Sequence, residues 1–349
     1  DTQKEMNKED FYYVLPKELI AQEPSLKRDE ARLMVINREN GDIQHRKFKD
    51  IVDYLTENDV LVLNDTKVFP ARIFMKKAQT GGRVEILLTR MLSENCWTTM
   101  VKPGRGINAG LRLIHPSNEL EARVVDVKSD GERVIEFDWD KNYSFIDILN
   151  KIGKTPLPPY IKTDPDKFKE YYQTVYARNN GSVAAPTAGL HFTDELLYSI
   201  KEKGTKVVYI TLHIGIGTFK PVKISNIEEH KMDEEYSIIS KEAADTINET
   251  RIKKHGRCVA VGTTVCRTLE SSVENGFIIP IEKWTDLFIK PPYKFKAVDA
   301  LITNFHLPSS TLIMLVSSFY SREKILEAYE LAINMKYRFF SFGDAMFIF

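Results

Sequence analysis

Three histidines share one local texture. His191 lies in Gly-Leu-His-Phe-Thr, His213 in Thr-Leu-His-Ile-Gly and His306 in Asn-Phe-His-Leu-Pro. Each stands at or just past an apolar run, beside small or hydroxyl side chains. Imidazole titrates near neutral pH, so it can both take and give protons under physiological conditions. A lone histidine in such a setting is more often structural, but three in the same setting point to a site. Their separations of 22 and 93 residues place them on different elements. That spacing argues against a local metal box, and no metal is expected. Two carboxylates could assist them. Asp65 follows the apolar run Val60-Leu61-Val62-Leu63, and Glu235 closes the acidic run Glu-Glu-His-Lys-Met-Asp-Glu-Glu that starts at Glu228. If that run folds over a pocket, Glu235 can act as a base or pair with a cation.

Other catalytic patterns are missing. There is no Gly-x-Ser-x-Gly elbow, no phosphate loop ending in Gly-Lys-Ser/Thr and no Cys–His signature. Gly215-Ile216-Gly217-Thr218 lacks the third glycine of a dinucleotide loop, and Lys220-Pro221 stands where the helix should start. A better anion seat is Gly262-Thr263-Thr264, which reads as a strand-to-helix turn with free N–H groups.

The elements must bring these residues together. Ala184-Ala185-Pro186-Thr187-Ala188-Gly189-Leu190-His191 leads into a helix capped by Thr193, with Asp194 and Glu195 in its first turn. Its position predicts His191 at a helix entrance. Strands are expected at 31–36, 43–48, 60–63, 206–212, 257–261 and 298–303. Helices are expected at 48–55, 240–255, 265–273, 310–319 and 322–336. The apolar end, 337–349, should dock on a sheet. Parallel strands that end on one side would gather the three histidines at one mouth.

Residues 70–154 read differently. About six short alternating runs are separated by Gly81-Gly82, residues 104–110, Pro116-Ser117-Asn118 and Asp130-Gly131. No helix is evident there, so a small antiparallel β-barrel or sandwich is expected. The proline cluster Thr155-Pro156-Leu157-Pro158-Pro159 marks its end. The expected fold is therefore α/β with a mixed sheet, discontinuous over 1–66 and 156–349, with a β-barrel inserted at 67–155.

Composition sets outer limits. The 349 residues are 43% hydrophobic and 28% charged, ordinary values for a globular chain. No apolar run approaches the roughly 20 residues of a membrane span. No secretory leader is visible at the start, and three scattered cysteines suggest a reducing compartment. A cytoplasmic monomer is expected. Net charge is zero, yet residues 67–112 hold nine cations against two acidic residues. Arg72, Lys102 and Arg105 there could follow a phosphate backbone. The residues alone leave open a non-catalytic RNA-binding protein built on the barrel. An S-adenosylmethionine-dependent RNA methyltransferase is disfavoured by the missing glycine fingerprint.

Together these stretches resemble the S-adenosylmethionine:tRNA ribosyltransferase-isomerase family of queuosine biosynthesis. The resemblance is carried by Asn64-Asp65-Thr66-Lys67-Val68, Tyr172-Gln173-Thr174-Val175-Tyr176-Ala177 and residues 15–22, 181–193, 211–222, 260–271, 303–314 and 337–346. Asp233 and Pro292 depart from the family pattern. The resemblance implies an α/β domain with an inserted barrel. It also implies transfer and isomerisation of the ribosyl part of S-adenosylmethionine onto 7-aminomethyl-7-deazaguanine at the tRNA wobble position. Epoxyqueuosine-tRNA, adenine and methionine are the products. S-adenosylmethionine is consumed as a substrate, and no cofactor is expected. The partner would be a tRNA with a queuosine-type anticodon. In that reading His191, His213 and His306 form the acid/base set, and Asp65 and Glu235 support them. Thr187, Thr263 and Thr264 touch substrate. Arg72, Lys102 and Arg105 meet tRNA, and Phe192, Phe219 or Phe305 stacks on the base.

Overall fold

The computed structural model describes residues 5–164, 166–215 and 222–349. The turn residues Ile216, Gly217 and Thr218, the stacking candidate Phe219 and Lys220-Pro221 lie outside them.

The first strands are β1 (Arg32–Ile36), β2 (Ile43–Lys47), β3 (Asp59–Asn64) and the short β4 (Thr66–Val68). The barrel strands follow: β5 (Arg72–Lys77), β6 (Arg83–Ser93), β7 (Cys96–Lys102), β8 (Arg112–Ile114), β9 (Glu121–Val127) and β10 (Arg133–Asp138). Helix α1 (Phe145–Ile152) closes that segment. Next come β11 (Asn179–Ser182), α2 (Asp194–Glu202), β12 (Lys206–His213), β13 (Glu235–Ile239), α3 (Lys241–Asn248), β14 (Arg257–Val261) and α4 (Thr263–Glu270). The hairpin β15 (Val273–Glu274) and β16 (Phe277–Ile278) precedes β17 (Ile281–Thr285) and β18 (Ala300–Asn304). Helices α5 (Thr311–Phe319) and α6 (Arg322–Asn334) lead to the last strand, β19 (Ala345–Ile348).

Nine strands form one mixed sheet in the order β17-β13-β12-β3-β14-β18-β19-β1-β2. Its centre, β12-β3-β14-β18, is parallel. Those strands are apolar on both faces because both faces are covered. Along β3, Val60 and Val62 enter one core, while Leu61 and Leu63 enter the other. This is the two-residue alternation of an extended chain. Helices α3, α4, α5 and α6 cover the first face, and α2 with the 3-10 turn Phe48–Tyr54 covers the second. The apolar tail docks as expected: β19 lies between β1 and β18.

The barrel closes in the order β10-β7-β6-β5-β8-β9. Val84, Ile86 and Leu88 of β6 point inward, and Phe145, Ile148 and Leu149 of α1 plug one end. That helix is a correction to the all-strand reading of the segment. Its start is a capping box, in which the Ser144 hydroxyl accepts from the Asp147 N–H and Asp147 accepts from the Ser144 N–H. The helix expected over 240–255 is shorter as an α-helix. Its last turn, Glu249–Lys253, widens to a π-turn.

Candidate active site

The carboxyl ends of the four parallel strands lie at one end of the sheet. They deliver Asn64 from β3, His213 from β12, Gly262 after β14 and Asn304 from β18. This is where open α/β sheets bind ligands. A cleft of about 940 Å³ opens there between the sheet and the barrel. His213, Gly215, Tyr236 and Trp284 form its sheet wall, and Phe69, Trp97 and Phe145 form its barrel wall. Aromatic and aliphatic side chains share its lining with charged ones, among them Arg90, Glu94, Lys128 and Asp130, and a concave site of this kind is a common place for a ligand.

His213 is the histidine of this cleft. Its Nδ1 lies 2.8 Å from the Thr66 hydroxyl, which lies 2.6 Å from the Ser182 hydroxyl. Ser182 in turn accepts the Ile214 N–H at 2.8 Å. A ring whose Nδ1–H donates to Thr66 keeps a lone pair on Nε2, which has no hydrogen-bond partner among the described residues. Burial lowers the pKa of His213, and the Asp65 carboxylate partly offsets the shift. Gly181 lies against this ring: a Cβ there would stand 2.7 Å from it.

The two carboxylates hold the frame around His213. Asp65 Oδ1 accepts from the Thr211 hydroxyl at 2.6 Å and from the Asn179 amide at 3.2 Å. Glu235 pairs with a cation: it accepts from Arg267 of α4 at 2.5 Å, and both are buried. Its other oxygen takes the Gly215 N–H at 2.5 Å. The chain two residues past His213 is thus tied to α4. The acidic run also reaches the cleft, where Asp233 and Glu234 stand on its rim.

His191 and His306 stand elsewhere, which corrects the expectation of one shared pocket. His306 lines a separate cavity of about 60 Å³ with Thr187, Thr263, Thr264 and Asn304. Its Nε2 is 2.6 Å from the Thr303 hydroxyl, which turns the ring inward. His191 ends a 3-10 turn, Thr187–His191, instead of opening α2. Its ring stacks on Phe48, 4.8 Å between centroids, and it lines a third, smaller cavity beside Arg28. Asn304 bridges the two regions, accepting from Thr187 at 3.0 Å and reaching His191 at 3.5 Å. Ile214 borders both the cleft and the His306 cavity, so these two spaces adjoin.

The strand-to-helix turn expected at Gly262-Thr263-Thr264 is present and lines the His306 cavity. Gly262 has φ +96°, and α4 starts directly after it. The Thr264 hydroxyl is buried without a hydrogen-bond partner among the described residues. Of the basic residues, Arg72 is half-buried and bound to Glu85 at 2.7 Å. Lys102 and Arg105 lie exposed on the barrel. The stacking candidates Phe192 and Phe305 are fully buried in the cores. Rings open to the cleft come instead from Tyr236, Trp284 and Trp97. Among the described residues no group of His, Cys, Asp and Glu has a metal-binding arrangement, and no helix is long and apolar enough to cross a membrane.

Burial pushes the pKa of His306 down to about 3 and that of His191 down to about 4. Such imidazoles bind protons first in the unfolded chain. Their stabilising effect is full above the unfolded value of about 6.5 and is lost as pH falls towards 4. Each costs up to about 1.4 kcal/mol per pH unit in that window. Urea unfolding at pH 7 and pH 5 should therefore show a smaller acid loss for His306→Gln than for the native chain. Equal losses would contradict the assignment.

Comparison with known proteins accords with this architecture. The family model described as queuosine biosynthesis protein matches residues 8–348. S-adenosylmethionine:tRNA ribosyltransferase-isomerases from Acetivibrio thermocellus and Caldanaerobacter subterraneus subsp. tengcongensis are each 54% identical over 344 residues, covering 98% of this chain and 100% of theirs. The crystal structure of S-adenosylmethionine tRNA ribosyltransferase from Thermotoga maritima aligns with a TM-score of 0.56 at 38% identity, over 97% of this chain and 100% of that one. The chain belongs to the queuosine biosynthesis protein family.

Proposed function

We propose that the interdomain cleft is where this chain transfers and isomerises the ribosyl moiety of S-adenosylmethionine onto 7-aminomethyl-7-deazaguanine of tRNA. The products are epoxyqueuosine-tRNA, adenine and methionine. The observation that carries the placement is His213. It is the one cleft imidazole among the described residues, oriented by Thr66 and Ser182 and with Nε2 unpaired there.

The chemistry asks for a base first. A sulfonium acidifies the adjacent ribose C–H, and a neutral imidazole can accept that proton. Adenine leaves more easily when protonated. The charged His213 can return the proton to it, so one group serves as base and then as acid. Holding two large substrates in register supplies much of the remaining rate. Asp65 and Glu235 act as positioning residues, since their oxygens are engaged by the frame. The small cavity beside Ile214 takes the methionyl carboxylate, on the α4 N-terminus and the Thr264 hydroxyl. Thr187 and Thr263 complete its wall, His306 stays neutral and shapes it, and His191 stands behind Asn304. Lys102 and Arg105 meet tRNA phosphates from the barrel, with Arg72 held behind them by Glu85. The chain is taken to work as a monomer where tRNA is found, in the cytoplasm.

Incubation with S-adenosylmethionine and tRNA carrying the aminomethyl base should release adenine and methionine in equal amounts. Release of S-adenosylhomocysteine instead would mark methyl transfer and overturn the reading.

A further inference from the structure

The cleft contains an ordered rank of rings that proton transfer does not need. His213 on β12 is the register partner of Tyr236 on β13, and Tyr236 is the register partner of Trp284 on β17. Directly paired residues of neighbouring strands point to the same face. The three rings therefore run side by side from the candidate base to the sheet edge. His213 and Tyr236 are 11° from parallel, 6.4 Å between centroids. Tyr236 and Trp284 follow at 5.4 Å, tilted by 57°. The Tyr236 hydroxyl is held by Glu282 at 2.7 Å. Arg90 reaches across from the barrel, its guanidinium 3.9 Å from the Trp284 ring centroid and 3.6 Å from Glu234. Trp284 remains 41% exposed, on the outermost strand of the sheet. Across the gap the Trp97 indole N–H has no hydrogen-bond partner among the described residues.

We propose that Tyr236 and Trp284, closed by Arg90, form a stacking shelf for an unpaired RNA base next to the one that reacts. This rests on the reading of the cleft as the site of tRNA modification. Flat rings offered singly at a sheet edge suit single-stranded bases, since every base has a face to stack and no pairing edge is read. The arginine over the indole extends the stack. Five acidic residues of the cleft, among them Glu94, Asp130 and Glu234, outweigh its two cations, Arg90 and Lys128, so an uncharged base enters more readily than a phosphate. The adenine of S-adenosylmethionine is the other ring in the reaction, but it shares a ribose with the carbon placed at His213. Trp284 lies two strands from His213, about 10 Å away across the sheet, which fits a neighbouring nucleotide better.

The test uses the full chain with an anticodon stem-loop RNA bearing the aminomethyl base. KM for RNA and KM for S-adenosylmethionine are measured separately for the native chain, Trp284→Ala and Trp284→Phe. Losing one base–aromatic stack should raise KM for RNA about tenfold. KM for S-adenosylmethionine should stay within about twofold, and phenylalanine should recover most of the loss. A KM for RNA unchanged in Trp284→Ala overturns the shelf, and so does a rise confined to S-adenosylmethionine, which would place adenine there. Adenine release by the native chain is read in the same assay. Its absence refutes the reading of the cleft itself, whereas an active native chain with an unaffected Trp284→Ala refutes the shelf alone.

Discussion

His213→Ala is expected to lower single-turnover adenine release by a factor of about 10² to 10⁴, the range for losing a positioned proton-transfer group. The ring is half-buried at a cleft wall. Alanine therefore opens space to solvent instead of leaving a sealed core cavity, and the thermal midpoint should move little. The pH profile supplies a second reading. The neutral ring is the base, and burial holds its pKa below the ordinary value. The acid limb should accordingly lie below about pH 6.5, with a flat rate above it up to neutral pH. A rate unchanged in His213→Ala, or an acid limb above pH 6.5, would contradict the assignment.

A comparable loss is expected from Gly181→Ala, although the new side chain is one carbon. Gly181 has φ +152°, which side chains rarely adopt, and its Cβ would stand 2.7 Å from the His213 ring. The ring must then swing away from Thr66 and Ser182. Misplacing a reacting group by about 1 Å costs roughly 10² in rate. Single-turnover adenine release should fall by about that factor, with KM for both substrates within a few-fold. The comparison separates orientation from presence, because the imidazole itself is retained. Activity within about threefold of native would mean that the Thr66–His213 geometry has no role.

Much of the frame was legible in the sequence. Continuous apolar runs such as Val60-Leu61-Val62-Leu63 mark strands covered on both faces, and the sheet uses them that way. Glycine and asparagine turns between short alternating runs announced the barrel. Helix α1 escaped notice because it has only eight residues, although the box Ser144-x-x-Asp147 carried a readable start.

The site was legible in part. Strand ends could be read, but not where a side chain turns after the strand stops. His306 folds inward because the Thr303 hydroxyl takes it, and His191 packs on Phe48, a residue about 140 positions away in sequence. Phase was a second obstacle. Adjacent residues of an extended chain point to opposite faces, and Thr66, not Asp65, touches the His213 ring. Trp284 and Tyr236 were out of reach for a third reason. Their alignment with His213 depends on the register of three strands from distant parts of the chain, and register is set by tertiary packing.

A cocrystal structure with an S-adenosylmethionine analogue shows directly whether His213 faces the reacting carbon. The ribose is expected in the cleft between barrel and sheet, its sulfur-bearing carbon within reach of His213 Nε2, and the carboxylate at Thr264. An analogue bound beside His191, with the His213 cleft left open, would contradict it.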